Sequence, residues 1–286
     1  MRCRLLRRKE ERRQDVPYKS VILEKKDAIA TITLNRPEVN NAFDLDMMEE
    51  VDDAITDVSQ DTNVRVVILT GAGKAFCAGG DISWMTTVWE RGAAFWCRMT
   101  IGDVIRRVGT MPTAVLKIQN IEKPIIAAVN GVAAGGGMGL ALACDMRIAS
   151  DKARFSTVFM NRGVIPDCAS TLNLPRLIGM AKAYELVLAG RVTSAQEAER
   201  IGLVNKTVPH DELMKATNEL AGEIAKNPPL AVGLAKAVLY RGMFEENVGA
   251  QMDLELYVQH VLFGTEDFQE GINAFMEKRD PIFKGK

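Results

Sequence analysis

The stretch PIIAAVNGVAAGGGMGLALACDMRIAS, residues 124–150, decides how the chain folds. Pro124–Val129 is a short apolar run that reads as a strand buried on both faces. It runs into a glycine-rich turn, Asn130-Gly131-Val132-Ala133-Ala134-Gly135-Gly136-Gly137. Met138–Ala143, rich in Ala and Leu, reads as a short, tightly packed helix, and Met146–Ala149 as another short strand. Outward towards the N terminus the same order recurs. Val64–Leu69 (VRVVIL) suits a strand buried from Val66 onward, with Arg65 at its exposed start. After Thr70 comes a second glycine-rich loop, Gly71-Ala72-Gly73-Lys74-Ala75-Phe76-Cys77-Ala78-Gly79-Gly80-Asp81. A helical stretch containing Trp and Met is expected from there to about Ile118. Buried strands, glycine turns and helices in alternation give an α/β class.

Further out, Ser20–Glu24 and Ala28–Leu34 read as a hairpin around Lys25-Lys26-Asp27. Asn35-Arg36-Pro37 ends its second strand. Asp44 reads as a helix N-cap, with Met47, Met48, Val51, Ile55 and Val58 at helical spacing behind it. Towards the C terminus the pattern turns helical. Ser194-Ala195-Gln196-Glu197 is a capping-box signature. Asp211–Lys226, Leu230–Tyr240 and Asn247–Phe263 have helical periodicity, separated by Pro228-Pro229 and Gly242. Three parts result: a basic N-terminal tail (1–17), a core (18–208) and a C-terminal helical region (209–286).

The chain has 286 residues, with 36 Lys+Arg against 37 Asp+Glu and a net charge of −1. That balance gives no electrostatic case for a nucleic-acid partner. No apolar run reaches the roughly 18 residues of a membrane-spanning helix, so no membrane partner is expected. Cys3, Cys77, Cys97, Cys144 and Cys168 form no CxxC pair, which fits free thiols in a reducing, cytoplasmic setting. The first fifteen residues carry six Arg and one Lys. No apolar segment follows to make a secretory signal, and Glu10, Glu11 and Asp15 argue against a mitochondrial one. A solvated tail is the expectation.

The two glycine loops share a chemistry. A helix start leaves backbone N–H groups unpaired, and glycine lets a ligand approach them closely. Two such turns from neighbouring strands can aim two N–H groups at one oxygen, an oxyanion hole for a thioester enolate. Phosphate-binding readings fail. Gly71-Ala72-Gly73-Lys74 lacks the earlier glycine of a P-loop, and Ala75 stands where Ser or Thr should follow the lysine. A dinucleotide fingerprint needs a third glycine where Phe76 stands. Tight turns alone remain the competing explanation of either loop.

AFCAGGDI (75–82) and AAVNGVAAGGGMGLALACDMRIAS (127–150) resemble the two signature segments of the enoyl-CoA hydratase/isomerase (crotonase) superfamily. TITLNRPEVNNAF (31–43), VVILTGAGKAF (66–76), GLVNKTVP (202–209) and FMEKRDPIFKGK (275–286) extend the resemblance from about Tyr18 to Lys286. The resemblance implies a crotonase-like spiral of stacked ββα turns with a C-terminal helical trimerisation region. It implies an acyl-CoA substrate, no cofactor beyond that substrate's coenzyme A moiety, and a homotrimer or dimer of trimers. It places the oxyanion amides at Gly80 and Gly136. Ala78, Gly79, Asp81 and Ile82 would line coenzyme A, with helix N-capping as a second role for Asp81.

The departures from the family pattern are informative. Family hydratases handle water with two glutamates. The first belongs two residues after the GGG run, at Gly139, and the second eight residues before Asp167, at Phe159. Neither side chain can carry a proton, and adding water needs a positioned acid/base. Asp167, in Gly163-Val164-Ile165-Pro166-Asp167, resembles the catalytic aspartate of isomerase-type members. The expected activity is therefore a double-bond shift with Asp167 as the acid/base, burial raising its pKa. A hydratase with an atypical water-handling group is the first alternative, and a non-catalytic acyl-CoA-binding protein the second. Trp84, Trp89 and Trp96 are candidates for an acyl-pocket roof or for core packing. Cys77 and Cys168 read as buried, inert thiols. Lys278, Arg279 and Lys284 stand equally as contacts for coenzyme A phosphates and as a solvated terminus. No metal-ligand spacing occurs, and His210 and His260 lack a GxSxG partner.

Overall fold

The computed structural model describes residues 18–83, 86 and 110–286. The tail at 1–17 and the candidates Trp84, Trp89 and Trp96 lie outside the described residues. Two sheets stack in the core. The large one takes β1 (Val21–Lys26), β2 (Ile29–Leu34), β3 (Val66–Gly71), β5 (Ile125–Val129), β7 (Met146–Ser150) and β10 (Lys206–Val208), in that spatial order. The small one takes β4 (Ala75–Cys77), β6 (Val132–Ala134), β8 (Arg154–Ser156) and β9 (Val192–Ser194). β3/β4, β5/β6 and β7/β8 are successive pairs in which the first strand joins the large sheet and the second the small one. β3, β5 and β7 pair in parallel, as do β4, β6 and β8. This is the stacked ββα spiral that the family resemblance implied. The parallel order brings every glycine turn to the same end of its strand.

Helices cover both faces of the large sheet. On one face Val67, Leu69, Ala127 and Val129 meet α1 (Leu45–Gln60), α2 (Thr110–Asn120) and α3 (Gly136–Ala143). On the other, Val66, Ile68, Ile126 and Ala128 meet α7 (Leu213–Ala225). Alternate residues of one strand therefore face two cores, which is why these strands read as continuous apolar runs. The remaining helices are α4 (Ser170–Ile178), α5 (Met180–Ala189), α6 (Ala195–Arg200), α8 (Pro229–Gly242), α9 (Val248–Phe263) and α10 (Glu266–Glu277).

Local signals explain several boundaries. The Asp44 side chain accepts from Met47 N at 2.9 Å and starts α1, whose Met47, Met48, Val51, Ile55 and Val58 are all buried. Ser194 accepts from Glu197 N at 3.2 Å, but the Glu197 carboxylate pairs with Arg200, so only half of the capping box forms. The hairpin turn is tighter than expected: β1 runs on to Lys26, and Asp27 adopts φ 54°. Arg65 is half-buried rather than exposed, because its guanidinium donates to Ala225 O at 2.9 Å and to Phe283 O. It ties the start of β3 to the C-terminal region. A second tie is Lys236 of α8, which donates to Asp145 at 2.8 Å and to Ile118 O at 3.0 Å. Among the described residues no helix is long and apolar enough to cross a membrane.

Candidate active site

The loop Ala78–Asp81 follows β4 and is held by a distant segment. Ala78 N donates to Asn40 O at 3.0 Å, Phe43 N to Gly79 O at 2.9 Å, and Asp81 N to Phe43 O at 3.0 Å. Because a trans peptide is planar, the unit that turns the Gly79 carbonyl to Phe43 turns the Gly80 N–H the opposite way. Among the described residues that N–H has no acceptor. The bracing segment is itself fixed. Asn41, fully buried at φ 56°, donates to Ala72 O at 2.9 Å and Ala75 O at 2.7 Å. Arg36 contacts Ala42 O at 2.6 Å, Asp44 at 3.0 Å and Asp81 at 3.1 Å.

The second turn follows β6. Gly135 adopts φ 54°, its N–H donates to Ser156 O at 2.9 Å, and its carbonyl accepts from Gly139 N at 3.1 Å. Gly136 is the first residue of α3, so its N–H emerges unpaired from the helix end. Absent side chains let the two loops meet. A Cβ on Gly79, at φ 94°, would stand 2.8 Å from Ala134 O and 3.4 Å from Gly136 N. A Cβ on Gly137 would stand 2.2 Å from Cys77 O.

Asp167 comes from the turn before α4. The residue is exposed at the surface, yet the protein around its carboxyl penalises the charge and raises its pKa. The neighbouring Cys168 opposes that rise. Cys168 and Ala169 are both left-handed, at φ 53° and 58°. Consecutive non-glycine residues in that region store strain of about 1–3 kcal/mol each and mark sites where side-chain placement is enforced.

Two free amides on loops that meet, together with a basic carboxylate, are the parts needed to stabilise an enolate and move its proton. The family model described as enoyl-CoA hydratase/isomerase matches residues 24–286. The chain belongs to the enoyl-CoA hydratase/isomerase family. It is 39% identical over 271 residues to a crotonyl-CoA hydratase of Syntrophomonas wolfei, covering 94% of this chain and 99% of that one. It is 36% identical over 262 residues to a 1,2-epoxyphenylacetyl-CoA isomerase of Escherichia coli, covering 90% and 95% respectively. The crystal structure of an enoyl-CoA hydratase from Bacillus anthracis superposes with a TM-score of 0.85 at 37% identity, covering 94% of this chain and all of that one.

In this enoyl-CoA hydratase/isomerase family member, positions 139 and 159 are taken up by packing. A Cβ on Gly139 would stand 2.5 Å from Cys168 Cβ and 2.8 Å from Ser170 Oγ. Phe159 is buried and its ring lies against Gly135. Asp81 Oδ1 accepts from Ser83 N at 3.0 Å and Ser83 Oγ at 2.7 Å, so it caps the helical turn at 82–83. The Ser83 hydroxyl, and after it Arg36, hold this carboxyl below the usual range. Ile82 is exposed beside it, 64% accessible, where a ligand can reach it.

Other candidates are engaged elsewhere. Burial pushes the Cys77 thiol up to about 12 and raises Cys168 further, so both are held as thiols. Arg279 is taken by Glu270 at 2.6 and 2.9 Å and by Glu277 at 2.6 Å. His210 Nδ1 lies 3.0 Å from the buried Ser150 Oγ, but Asp151 bonds the serine, which leaves no hydrolase triad. A cavity of about 290 Å³ that includes His210, Thr33 and Thr70 opens on the α7 side of the large sheet and shares no residue with the glycine loops at 78–82 and 135–139. Among the described residues no group of three or more His, Cys, Asp or Glu is placed to hold a metal ion. The sequence reading assigned no part in the site to Arg36, Asn40, Asn41 or Phe43. The Asn-Asn pair before an aromatic was the available signal, since Asn tolerates left-handed turns.

Proposed function

We propose that the chain shifts a double bond in an enoyl-CoA thioester, from the 3- to the 2-position or in a related sense. The N–H groups of Gly80 and Gly136 receive the thioester oxygen, and Ala78, Gly79, Asp81 and Ile82 line the coenzyme A. Asp167 takes a proton from the α carbon; the electron pair delocalises into a dienolate held by the two amides. The same carboxyl then returns the proton to the γ carbon. A raised pKa suits this double duty, because the group must both accept and release the proton near neutral pH. The reading is carried by one observation: a basic carboxyl stands at 167, while 139 and 159 hold packing that has no proton to give.

Asp167→Asn tests it. Isomerisation of a 3-enoyl-CoA should fall by about 10²–10⁴-fold while acyl-CoA affinity persists. Unchanged turnover would remove Asp167 from the mechanism. A second reading, hydration with another group handling water, is favoured by the hydratase names of relatives at 39% and 41% identity. Crotonyl-CoA hydration measured beside 3-enoyl-CoA isomerisation separates the two. Tight acyl-CoA binding with neither turnover would favour a binding protein. We further propose self-association, as a trimer or dimer of trimers, through the C-terminal helices. α9 buries none of its residues, and Leu239, Val248, Tyr257 and Phe275 are each more than 70% exposed. A monomer in light scattering would refute that.

A further inference from the structure

We propose that Ser170 and Asn173 hold a buried water molecule, and that this water fixes the turn bearing Asp167 against α3, the helix that begins at Gly136. The catalytic half of the proposal rests on the reading of Asp167 as the acid/base; the water site does not. Among the described residues four buried side-chain atoms have no hydrogen-bond partner: Asp52 Oδ1, Ser156 Oγ, Ser170 Oγ and Asn173 Nδ2. Two of the four belong to α4 and stand one helical turn apart, on the same face. Ser170 is 2% exposed and Asn173 7%, so bulk solvent reaches neither.

A printed contact identifies each wall of the site. Ser170 Oγ lies against α3, 2.8 Å from where a side chain on Gly139 would begin. Asn173 faces α2, where Gln119 Nε2 donates to Asn173 Oδ1 at 3.2 Å. That bond sets the direction of the amide: Oδ1 is engaged, and Nδ2 is left to donate elsewhere. Residues three apart on a helix have β carbons about 5–6 Å apart. Two hydrogen bonds of about 2.8 Å through one water reach across about 5.6 Å at most, so a single molecule fits the gap that the two side chains leave between them. A buried N–H or hydroxyl without a partner costs free energy, and a bonded water removes that cost. The chemistry selects water. An amide N–H repels a metal cation, and neither side chain carries the positive charge that would hold an anion.

The place of the site links it to catalysis. Ser170 N donates to Asp167 O at 2.9 Å, so the serine closes the turn that carries the carboxylate. Its hydroxyl abuts α3, whose first residue supplies the Gly136 amide. A water shared by Ser170 and Asn173 therefore holds the proton-transfer group and the oxyanion helix at a fixed separation. Both side chains are buried, so they act through Asp167 and are positioning residues.

The first test needs no turnover. A crystal structure of the wild-type protein that resolves ordered water should show one density peak within about 3.2 Å of both Ser170 Oγ and Asn173 Nδ2. No peak, a direct bond between the two side chains, or a protein atom between them overturns the site. Kinetics with a 3-enoyl-CoA then test the link to Asp167. Ser170→Ala should lower kcat about three- to tenfold, the worth of one hydrogen bond, with KM unchanged. Asn173→Ala should do the same. The double variant should lose no more than the larger single loss, because both act through one water. Losses that multiply in the double variant, or a KM that rises while kcat holds, overturn the link. The wild-type structure decides the site whether or not the variants fold. Retained isomerisation in Asp167→Asn, with the density peak in place, refutes the base and the link with it, and leaves the water site standing.

Discussion

The loop Ala78–Asp81 is held from outside, whereas the turn at Gly135–Gly137 is held from within. The first takes three backbone hydrogen bonds from Asn40 and Phe43, residues brought in by another segment of the chain. The second takes its shape from its own helix, α3, and one bond to Ser156 O on the neighbouring strand. Among the described residues both end with an unpaired N–H at glycine. The amide of an internally held turn survives changes elsewhere. The amide of an externally held loop inherits every weakness of its brace.

Substitutions break this comparison in graded ways. Gly136→Pro removes one amide while leaving a residue that helix starts accept. It should cost about 10³-fold in kcat, with melting little changed, since an oxyanion donor is worth about that much. Gly79→Ala forces a side chain at φ 94° against Ala134 O and should cost about 10²-fold. Asn41→Ala removes the Asn41 donor from the half-buried Ala72 O and one of two side-chain donors from the buried Ala75 O, which keeps Asn130. It should destabilise by about 2–3 kcal/mol in denaturant titration and lower kcat with it. Arg36→Ala should lower kcat/KM about tenfold, because it frees Asp81 and the brace while sparing the second turn. Equal losses from Arg36→Ala and from a substitution within α3 would erase the distinction. Asp44→Ala should cost about 1 kcal/mol from the lost N-cap and, because it also releases one contact of Arg36, lower kcat/KM by less than Arg36→Ala does.

Length decides what could be read in the chain. Val66–Leu69 and Ile125–Val129 are apolar throughout, and α1 repeats its apolar residues over sixteen positions, so each carries its own signal. β4, β6, β8 and β9 have three residues each, too few for a period, and the small sheet they form went unread. α10 was also missed, although Thr265 accepts from Phe268 N at 3.1 Å and Glu266 and Asp267 acidify its first turn, a usual start signal. Among the site candidates, Asp167 stood out because its neighbours at 139 and 159 lack carboxyls. Arg36 and Asn41 did not, because a bracing residue has no motif of its own.

The sequence by itself determined which chemistry is unavailable. A glycine at 139 and a phenylalanine at 159 cannot transfer a proton in any fold. It also determined the two glycine turns, since only residues without a Cβ permit the approach of Gly79 to Ala134 O and of Gly137 to Cys77 O. Tertiary structure alone decided that Cys168 fills the space beside Gly139, that Asn40 and Phe43 hold the first amide, and that Arg65 and Lys236 fasten the C-terminal helices to the core. These partners lie tens of residues apart. Sheet register and the stacking of successive turns bring them together, and no local pattern of side chains encodes a distance of that kind.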